Sequence, residues 1–167
     1  MTLNRDPEAA HFVTEDIDRF WQVFPHLDDR DAEERFEHDY IQAGTPGLHA
    51  FLRYQIETVG ALLLAKVRAC RAYYASVQAS TLAVAWFIPQ FKDSFRYLAG
   101  LYQEAVFPDT TFVIGRMNCG GTVDVGRYYI FPMLAVVNAL LVHGKLAYAG
   151  AYCQMSFPFL ECWIYPV

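Results

Sequence analysis

Apolar side chains near the start of the chain recur every three or four residues, which is the spacing of one face of an α-helix. The pattern first appears at four positions, Ile17, Phe20, Trp21 and Phe24. It predicts a helix over residues 15–24, capped by Thr14 and ended by Pro25. Acidic residues occupy the first turn, where the helix dipole stabilises them.

A second, strongly charged helix is predicted over residues 29–42. Its buried stripe would consist of Phe36, Tyr40 and Ile41, and Gly44 would close it. The charges that run through this helix are typical of a solvated face rather than of a metal site.

A long helix is predicted next, over residues 46–78, with Thr45 as its N-cap and Pro46 at its first position. Its apolar stripe keeps the same spacing throughout and comprises Leu48, Leu52, Ile56, Val59, Leu63, Val67, Cys70 and Tyr74. A further helix over residues 90–104 would turn four side chains inward, Phe91, Phe95, Leu98 and Leu101. Tyr97, on the same helix, is also assigned to the core.

A small β-element follows the helices. Thr110–Ile114 reads as a strand, the pair Gly120 and Gly121 as a turn, and Tyr128–Phe131 as a returning strand. The predicted fold is therefore α+β and mainly α, with long helices followed by a small β-hairpin. Three parts are expected: a flexible arm over residues 1–13, a helical domain with the β-element over 14–130, and an apolar tail over 131–167.

Charge and composition restrict the range of functions and cellular locations to be expected. The net charge is −5, and 12 of the 18 acidic residues lie in the first 40 positions, which argues against nucleic-acid binding. The four cysteines form no Cys-x-x-Cys pair, and the first residues carry no apolar leader, so a cytoplasmic location is expected.

The tail has an unusual composition, since residues 128–167 contain only two charged side chains, Lys145 and Glu161. A membrane span over residues 128–142 would have only 15 residues, short of the roughly 20 that a helix needs to cross a bilayer. Membrane contact through the tail is therefore a weak expectation. A shifted reading frame and a divergent buried tail would both produce this composition.

The candidate chemistry centres on the glycine-rich segment after the first strand. Successive backbone N–H groups near glycines can form an anion-binding nest, to which Arg116 would add a positive charge. The candidate substrate-cleft residues are Arg116, Asn118, Gly120, Gly121 and Thr122. The alternative is a plain turn whose glycines permit unusual backbone angles. Cys119 has no nearby histidine and is a weak candidate nucleophile.

Two histidines raise the question of a metal site. His38, with the adjacent Asp39, and His49 would lie on two successive helices. Without a third ligand in a recognisable pattern, they are better interpreted as surface residues. No metal ligand and no catalytic residue are assigned in this chain.

Five segments together resemble the zinc-dependent peptidase family related to the gliding-motility lipoprotein B. They occur in the same order across residues 12–130 and are Thr14–Trp21, Tyr40–Phe51, Tyr73–Val77, Leu101–Pro108 and Phe112–Thr122. The resemblance implies a helical region, then a β-element, then a zincin-like helix with a His-Glu-x-x-His motif. In that motif two histidines bind Zn²⁺ and the glutamate activates the bound water. Family members carry a small polar residue, often Ser, where Cys119 stands.

The chain departs from the family at the decisive motif. Its five histidines are His11, His26, His38, His49 and His143, and no two are four residues apart. The zincin-like fold would therefore be truncated, and zinc is expected only in full-length relatives, together with a peptide or protein substrate.

Three functions follow from the sequence. The first is the N-terminal portion of a zinc metallopeptidase-like protein that is catalytically inactive as it stands. The alternative is a non-catalytic helical protein whose apolar tail docks a partner or a membrane. The third and weakest is a small-molecule-binding module around the glycine-rich segment.

Overall fold

The computed structural model describes residues 4–55, 60–116, 122–124 and 128–132. Helices make up most of this part of the chain, which confirms the prediction of a mainly helical fold. The α-helices are α1 (Glu15–Val23), α2 (Ala32–Arg35), α3 (Pro46–Gln55), α4 (Gly60–Ala69), α5 (Arg71–Leu82) and α6 (Ile88–Leu101). A π-helix, Phe36–Gln42, continues α2, and three short 3₁₀ turns cover Pro7–Ala9, Phe24–His26 and Ala83–Phe87.

Four strands form one mixed sheet in the order β1-β2-β4-β3. They are β1 (Phe12–Val13), β2 (Asp109–Val113), β3 (Thr122–Asp124) and β4 (Tyr128–Pro132). The central pair, β2 and β4, is parallel, whereas β3 and β4 are antiparallel. The predicted hairpin between residues 110–114 and 128–131 is therefore wrong in direction, because the intervening β3 reverses the chain before β4 begins.

Residues 4–13, within the predicted arm, make long-range hydrogen bonds in the part of the chain that the structure describes. Asn4 donates its side-chain amide to the Phe107 carbonyl and accepts the Phe107 N–H at its own carbonyl, both at 2.8 Å. β1 then pairs with β2 in parallel. These long-range hydrogen bonds order residues 4–13, and no local apolar pattern indicates them.

The predicted long helix over residues 46–78 is interrupted. Cys70 leaves helical geometry, with φ −118° and ψ 26°, and separates α4 from α5. The two helices serve different partners: Arg68 of α4 donates to the Leu27 carbonyl, whereas Thr81 of α5 accepts from the Trp21 indole. The break lets each helix reach its own contact, and α5 extends beyond the predicted end to Leu82.

The core contains an aromatic cluster centred on Phe20 of α1. The Phe20 ring is fully buried, and five other ring centroids lie within 6.1 Å of it. These rings belong to Trp21, Phe24, Phe36, Tyr40 and Tyr74. The predicted stripes of α1 and of the charged helix therefore meet at one place, where edge-to-face pairs add to the apolar burial.

Two polar contacts fix α3 against the rest of the fold. Asp16 is completely buried and accepts from both the backbone N–H and the hydroxyl of Thr45, while Arg19 pairs with the same carboxylate. Thr45 precedes Pro46 as predicted, and α3 begins there. Gly47 packs so closely on β2 that a Cβ would lie 2.1 Å from the Thr111 hydroxyl oxygen.

Helix α6 differs from its prediction on one side. Phe91 and Phe95 are buried as expected, and Leu98 packs partly against the core. Leu101 and Tyr97 are instead 65% and 64% exposed. The assignment of these two residues to the core is wrong, because they lie on the side of α6 that faces away from the sheet.

Strand β4 overlaps the first two residues of the predicted tail. The predicted tail begins at residue 131, but Phe131 and Pro132 pair with Phe112 and Val113 of β2. The strand thus continues two residues into the segment of unusual composition. Residues 133–167 lie outside the part that the structure describes.

Candidate binding site at the carboxyl end of the central strand

The predicted site follows the carboxyl end of β2, the strand that pairs in parallel with β4. Because β2 and β4 are parallel, their carboxyl ends lie side by side. Thr111, Ile130 and Thr122 form one row across the sheet, two residues before Val113 and Pro132, where β2 and β4 end. Neighbouring strands are about 4.8 Å apart, which places Thr122 roughly 10 Å from Thr111. Ligand sites of parallel sheets form beyond such carboxyl ends.

Tyr40, whose hydroxyl binds the chain where β2 ends, lies in the π-helix Phe36–Gln42. The Ala43 N–H donates to the His38 carbonyl at 3.1 Å, and the Gln42 amide donates to the Glu37 carboxylate at 3.2 Å. Both pairs are five residues apart, the spacing that a π-helix brings together. π-helices are rare and frequently occur at functional sites. This one directs Tyr40 into the core below the end of β2.

Tyr40 binds both backbone groups of one residue. Its hydroxyl donates to the Ile114 carbonyl at 2.7 Å and accepts the Ile114 N–H at 3.1 Å. Tyr40 is fully buried, and this burial, together with the negative charge of Asp16, raises the pKa of its hydroxyl well above the usual range. The hydroxyl is therefore neutral and serves as a fixed clamp on the chain where β2 ends.

Tyr74 of α5 clamps the next residue. Its hydroxyl donates to the Gly115 carbonyl at 2.8 Å. Burial raises the pKa of the Tyr74 hydroxyl above its usual range, whereas the positive charge of Arg116 acts to lower that pKa. Two successive carbonyls are thus held by two tyrosines from different helices. This rigid attachment sets the direction in which the chain enters residue 116.

Arg116 is the one predicted site residue whose side chain the structure describes. It is half-buried, and its Nε atom is buried without a hydrogen-bond partner in the part of the chain that the structure describes. A buried donor left unpaired costs free energy, so such a group is a natural place for an added acceptor. The guanidinium presents five donors that match a carboxylate or phosphate.

Gly115 has a packing reason to be glycine. A Cβ at this position would lie 3.1 Å from the Phe51 ring of α3. The backbone therefore passes close over α3 immediately before Arg116. This contact, like the two tyrosine clamps, holds the start of the glycine-rich segment against the helical core.

The other predicted cleft residues are placed only in part. Thr122 is the first residue of β3. Asn118, Gly120 and Gly121, together with the candidate nucleophile Cys119, lie outside the described residues. Arg116 follows the carboxyl end of β2, whereas Thr122 begins β3 two strands away, level with the middle of β2.

Sequence reasoning missed the two tyrosine clamps. Tyr40 and Tyr74 are correctly predicted as members of apolar stripes, but their hydroxyl partners lie 74 and 41 residues further along the chain. The spacing of a stripe carries no signal about such distant partners. A buried tyrosine does usually place its hydroxyl on a hydrogen-bond partner, which is the one general clue that was available.

The histidines that were considered for a metal site have other surroundings. The His49 Nε2 atom donates to the Ile41 carbonyl at 2.9 Å. His38 lines an open cavity of about 400 Å³ whose walls also include Asp31, Glu33, Glu34 and Glu37. Glu37 is engaged there, because it accepts the Gly60 N–H at 2.8 Å. Within the described ranges, no three His, Cys, Asp or Glu side chains are grouped as a metal site.

Comparisons with protein-family profiles, curated proteins and solved structures return no match to this chain. None of the helices that the structure describes is long and apolar enough to cross a membrane. The function is therefore argued from the residues of the site.

Proposed function

We propose that this chain is the N-terminal portion of a metallopeptidase-like protein and that, as it stands, it binds an extended peptide without cleaving it. The observation that carries the proposal is the carboxyl edge of the sheet. Arg116, whose buried Nε atom has no hydrogen-bond partner among the described residues, follows the carboxyl end of β2, and Thr122 begins β3 level with the middle of that strand. The candidate cleft residues remain Arg116, Asn118, Gly120, Gly121 and Thr122.

The edge strand supplies the second element of the proposal. β3 is the last strand in the order β1-β2-β4-β3, so one side of it has no partner among the described strands. An extended peptide can add to such an edge through main-chain hydrogen bonds. Arg116 would then bind a carboxylate of the peptide through charge-assisted hydrogen bonds, which are stronger than neutral ones.

The zinc-binding motif that the resemblance implies is absent from the sequence. The implied motif needs two histidines four residues apart, and no two of the five histidines have this spacing. The acids around His38 are already engaged or solvent-facing, and the His49 ring is bonded to a backbone carbonyl. No step of the proposal therefore passes through a metal, and zinc is proposed only for full-length relatives.

Peptide binding is tested with the full chain and a fluorescein-labelled pool of random hexapeptides that carry free C-terminal carboxylates. Fluorescence anisotropy is expected to rise on binding, and Arg116→Ala is expected to weaken binding at least about tenfold, the equivalent of about 1.4 kcal/mol. Arg116→Lys keeps the charge and should lose less. Arg30→Ala, an exposed arginine elsewhere, is the matched control. Unchanged binding by Arg116→Ala, with an intact circular dichroism spectrum, would reject the site.

Two further measurements test the rest of the proposal. Incubation of the chain with casein, with and without added zinc, is expected to yield no fragments, and cleavage would show that a catalytic centre is present. Sequencing the encoding DNA across the codon of Ile130 and translating all three frames tests the family. A shifted frame that encodes His-Glu-x-x-His would support it, whereas an intact frame without the motif would favour the alternative, a non-catalytic protein whose apolar tail docks a partner or membrane.

A further inference from the structure

A groove between helix α6 and the edge of β2 is filled by residues 4–13 of the same chain, which we name the strap. The Ala10 side chain is 2% exposed and packs in one apolar cluster with Phe95 of α6. The Phe12 ring lies 6.0 Å from that of Phe91 and 5.4 Å from that of Phe95. The groove therefore receives one small and one aromatic side chain that are two residues apart.

The backbone of the strap is bound in the way that a sheet binds an added strand. The Asn4 carbonyl accepts the Phe107 N–H at 2.8 Å, and the His11 carbonyl accepts the Thr110 N–H at 2.8 Å. The last two residues of the strap form β1, which pairs in parallel with β2. Main-chain hydrogen bonds to a strand edge, combined with pockets for alternate side chains, are the means by which a sheet edge recognises an extended peptide.

A charged contact completes the match between the strap and the groove. The Arg96 guanidinium of α6 donates to both carboxylate oxygens of Glu8, through Nε and, at 2.9 Å, through Nη2. Exposed ion pairs contribute measurably to stability when an arginine binds a carboxylate through two bonds in this way. The hydrogen bond from Arg96 lowers the pKa of Glu8, and the positive charge of Lys92 acts in the same direction. The groove therefore favours an acidic residue two positions before the small one.

The strap is held more weakly than the elements of the core. Of its ten residues, all of which the structure describes, only Ala10 is buried, while Phe12 and Val13 are half-buried. A single residue, Thr14, separates β1 from α1, and its side chain makes no capping hydrogen bond to the helix. Segments with few buried contacts open at a lower free energy than the whole fold. The strap is therefore an element that can leave the groove while the helical core stays folded.

One polar group of the groove is not satisfied by the strap. The Thr110 side chain is 1% exposed, and its hydroxyl has no hydrogen-bond partner among the described residues. Thr110 pairs with Phe12 in the parallel register, so the two side chains lie on the same face of the sheet. A buried polar group without a partner costs free energy. The strap therefore fills the groove without using every contact that the groove offers.

We propose that this groove is a binding site for extended peptides and that the strap is its intramolecular occupant. The ligand is a segment with an acidic, a small and an aromatic residue at alternate positions, as in Glu8, Ala10 and Phe12. Because the tethered strap has an effective concentration in the millimolar range, a free peptide binds only the molecules whose strap is released. The groove lies at the opposite edge of the sheet from β3 and does not involve Arg116, so this inference is independent of the proposed function.

Peptide binding to the full chain tests the proposal. The probe is a fluorescein-labelled, amidated peptide with the sequence of residues 4–13, and fluorescence anisotropy measures its affinity. Glu8→Gln in the chain loosens the strap and leaves the groove intact, so we expect this chain to bind the probe at least about threefold more tightly than the wild type does. Glu33→Gln, which neutralises an exposed acidic residue of α2, is the matched control and should leave the affinity unchanged.

Three further substitutions show where the probe binds. Arg96→Gln also loosens the strap but removes the groove's own contact to the probe, so it should not raise the affinity. Arg116→Ala should leave the affinity unchanged. A probe with Phe12→Ala should bind at least about tenfold more weakly. Equal affinities of the wild-type and Glu8→Gln chains, no binding at millimolar probe concentration, or a loss of affinity in Arg116→Ala would overturn the groove as the site.

Amide hydrogen exchange measures the release of the strap without any ligand. The N–H groups of Phe107 and Thr110 donate to strap carbonyls, whereas the Ala43 N–H donates to the π-helix. In the Glu8→Gln chain, exchange at Phe107 and Thr110 should be at least about threefold faster than in the wild type, with exchange at Ala43 unchanged. An equal increase at all three amides would show that the whole fold opens together, and no increase at Phe107 and Thr110 would show that Glu8 does not hold the strap. Either result would overturn the strap as a separable occupant.

Discussion

Removing one hydroxyl from the core should test the clamp at the end of β2. The Tyr40→Phe substitution keeps the ring against Phe20 and deletes only the oxygen that binds Ile114. That oxygen donates to the Ile114 carbonyl at 2.7 Å and accepts its N–H at 3.1 Å. Both residues are buried, so water does not replace the lost bonds. The substitution therefore leaves one buried donor and one buried acceptor unsatisfied.

The expected cost follows from these two groups. A buried polar group that loses its partner costs about 1–3 kcal/mol. Two such groups give a loss of about 3 kcal/mol in the free energy of unfolding, after allowance for partial relaxation. Tyr74→Phe deletes a single bond, to the Gly115 carbonyl, and should cost about half as much. The structure therefore predicts an order as well as a magnitude.

Urea unfolding followed by circular dichroism measures both substitutions. Tyr73→Phe is the matched control, since Tyr73 is adjacent in sequence and 38% exposed, and we expect a change below about 0.5 kcal/mol. The slope of the unfolding curve should stay constant, so that the change appears in the midpoint. A loss for Tyr40→Phe below about 1 kcal/mol, or equal to that of Tyr73→Phe, would refute the clamp.

Three further outcomes are expected. Burial raises the pKa of Tyr40, so its hydroxyl stays protonated in the folded chain, whereas the unfolded chain ionises it above about pH 10. The free energy of unfolding should therefore fall as the pH rises, by about 1.4 kcal/mol at pH 11 from this residue alone. Tyr40→Phe should lack this contribution to the pH dependence. Asp16→Asn should cost about 1.5–3 kcal/mol, because the buried carboxylate loses its charge-assisted bonds to Thr45. Gly47→Ala should cost about 1–3 kcal/mol, because the new Cβ would collide with Thr111.

Each of these outcomes has a control on the same element or its neighbour. Denaturant unfolding at pH 9 and pH 11 compares the wild type with Tyr40→Phe, and equal losses would contradict the assignment. Asp18→Asn changes an exposed carboxylate of α1 and should have little effect. Gly44→Ala would meet mainly the end of the Leu48 side chain, which can move, so it should cost less than Gly47→Ala. A reversed order would show that α3 does not approach β2 so closely.

The apolar spacing predicts the helices well where one local stripe meets the core. Phe20 and Trp21 are buried as expected, and α3 begins at Pro46 after its cap. The same reasoning fails at Cys70, where the stripe continues without interruption although the helix does not. An apolar stripe indicates only which side of a helix is buried. It does not indicate that two halves of the helix contact different partners and are separated by a break.

Helix α6 shows why burial cannot be assigned from residue type alone. Tyr97 and Leu101 are apolar enough to be predicted as core, yet both are exposed in the described part of the chain. The side of α6 that carries Phe91 and Phe95 packs against the core, and a helix can turn only one side toward the sheet. Residue type therefore predicts a need for burial, while the neighbouring elements decide which residues receive it.

The candidate site also combines features that the sequence predicts with features that depend on the fold. The sequence predicts Arg116 and Thr122 as site residues, because a positive charge and a glycine-rich segment follow the predicted strand over residues 110–114. The position of Thr122, two strands away from β2, depends on β4 lying between β2 and β3 and parallel to β2, which no local pattern indicates. The clamps by Tyr40 and Tyr74 depend on contacts 74 and 41 residues apart.

The sequence by itself determined the mainly helical composition, the starts of α1 and α3 and the strand that becomes β2. These features depend on interactions within a few residues, such as the helical spacing of apolar side chains and, at α3, the Thr45 hydroxyl that accepts the Leu48 N–H; the predicted cap of α1, Thr14, makes no such bond. Only the tertiary structure decided the parallel sheet, the ordering of residues 4–13, the break at Cys70 and the exposed side of α6. These features arise from buried hydrogen bonds and ring contacts between distant residues, whose energies appear only when the chain is folded.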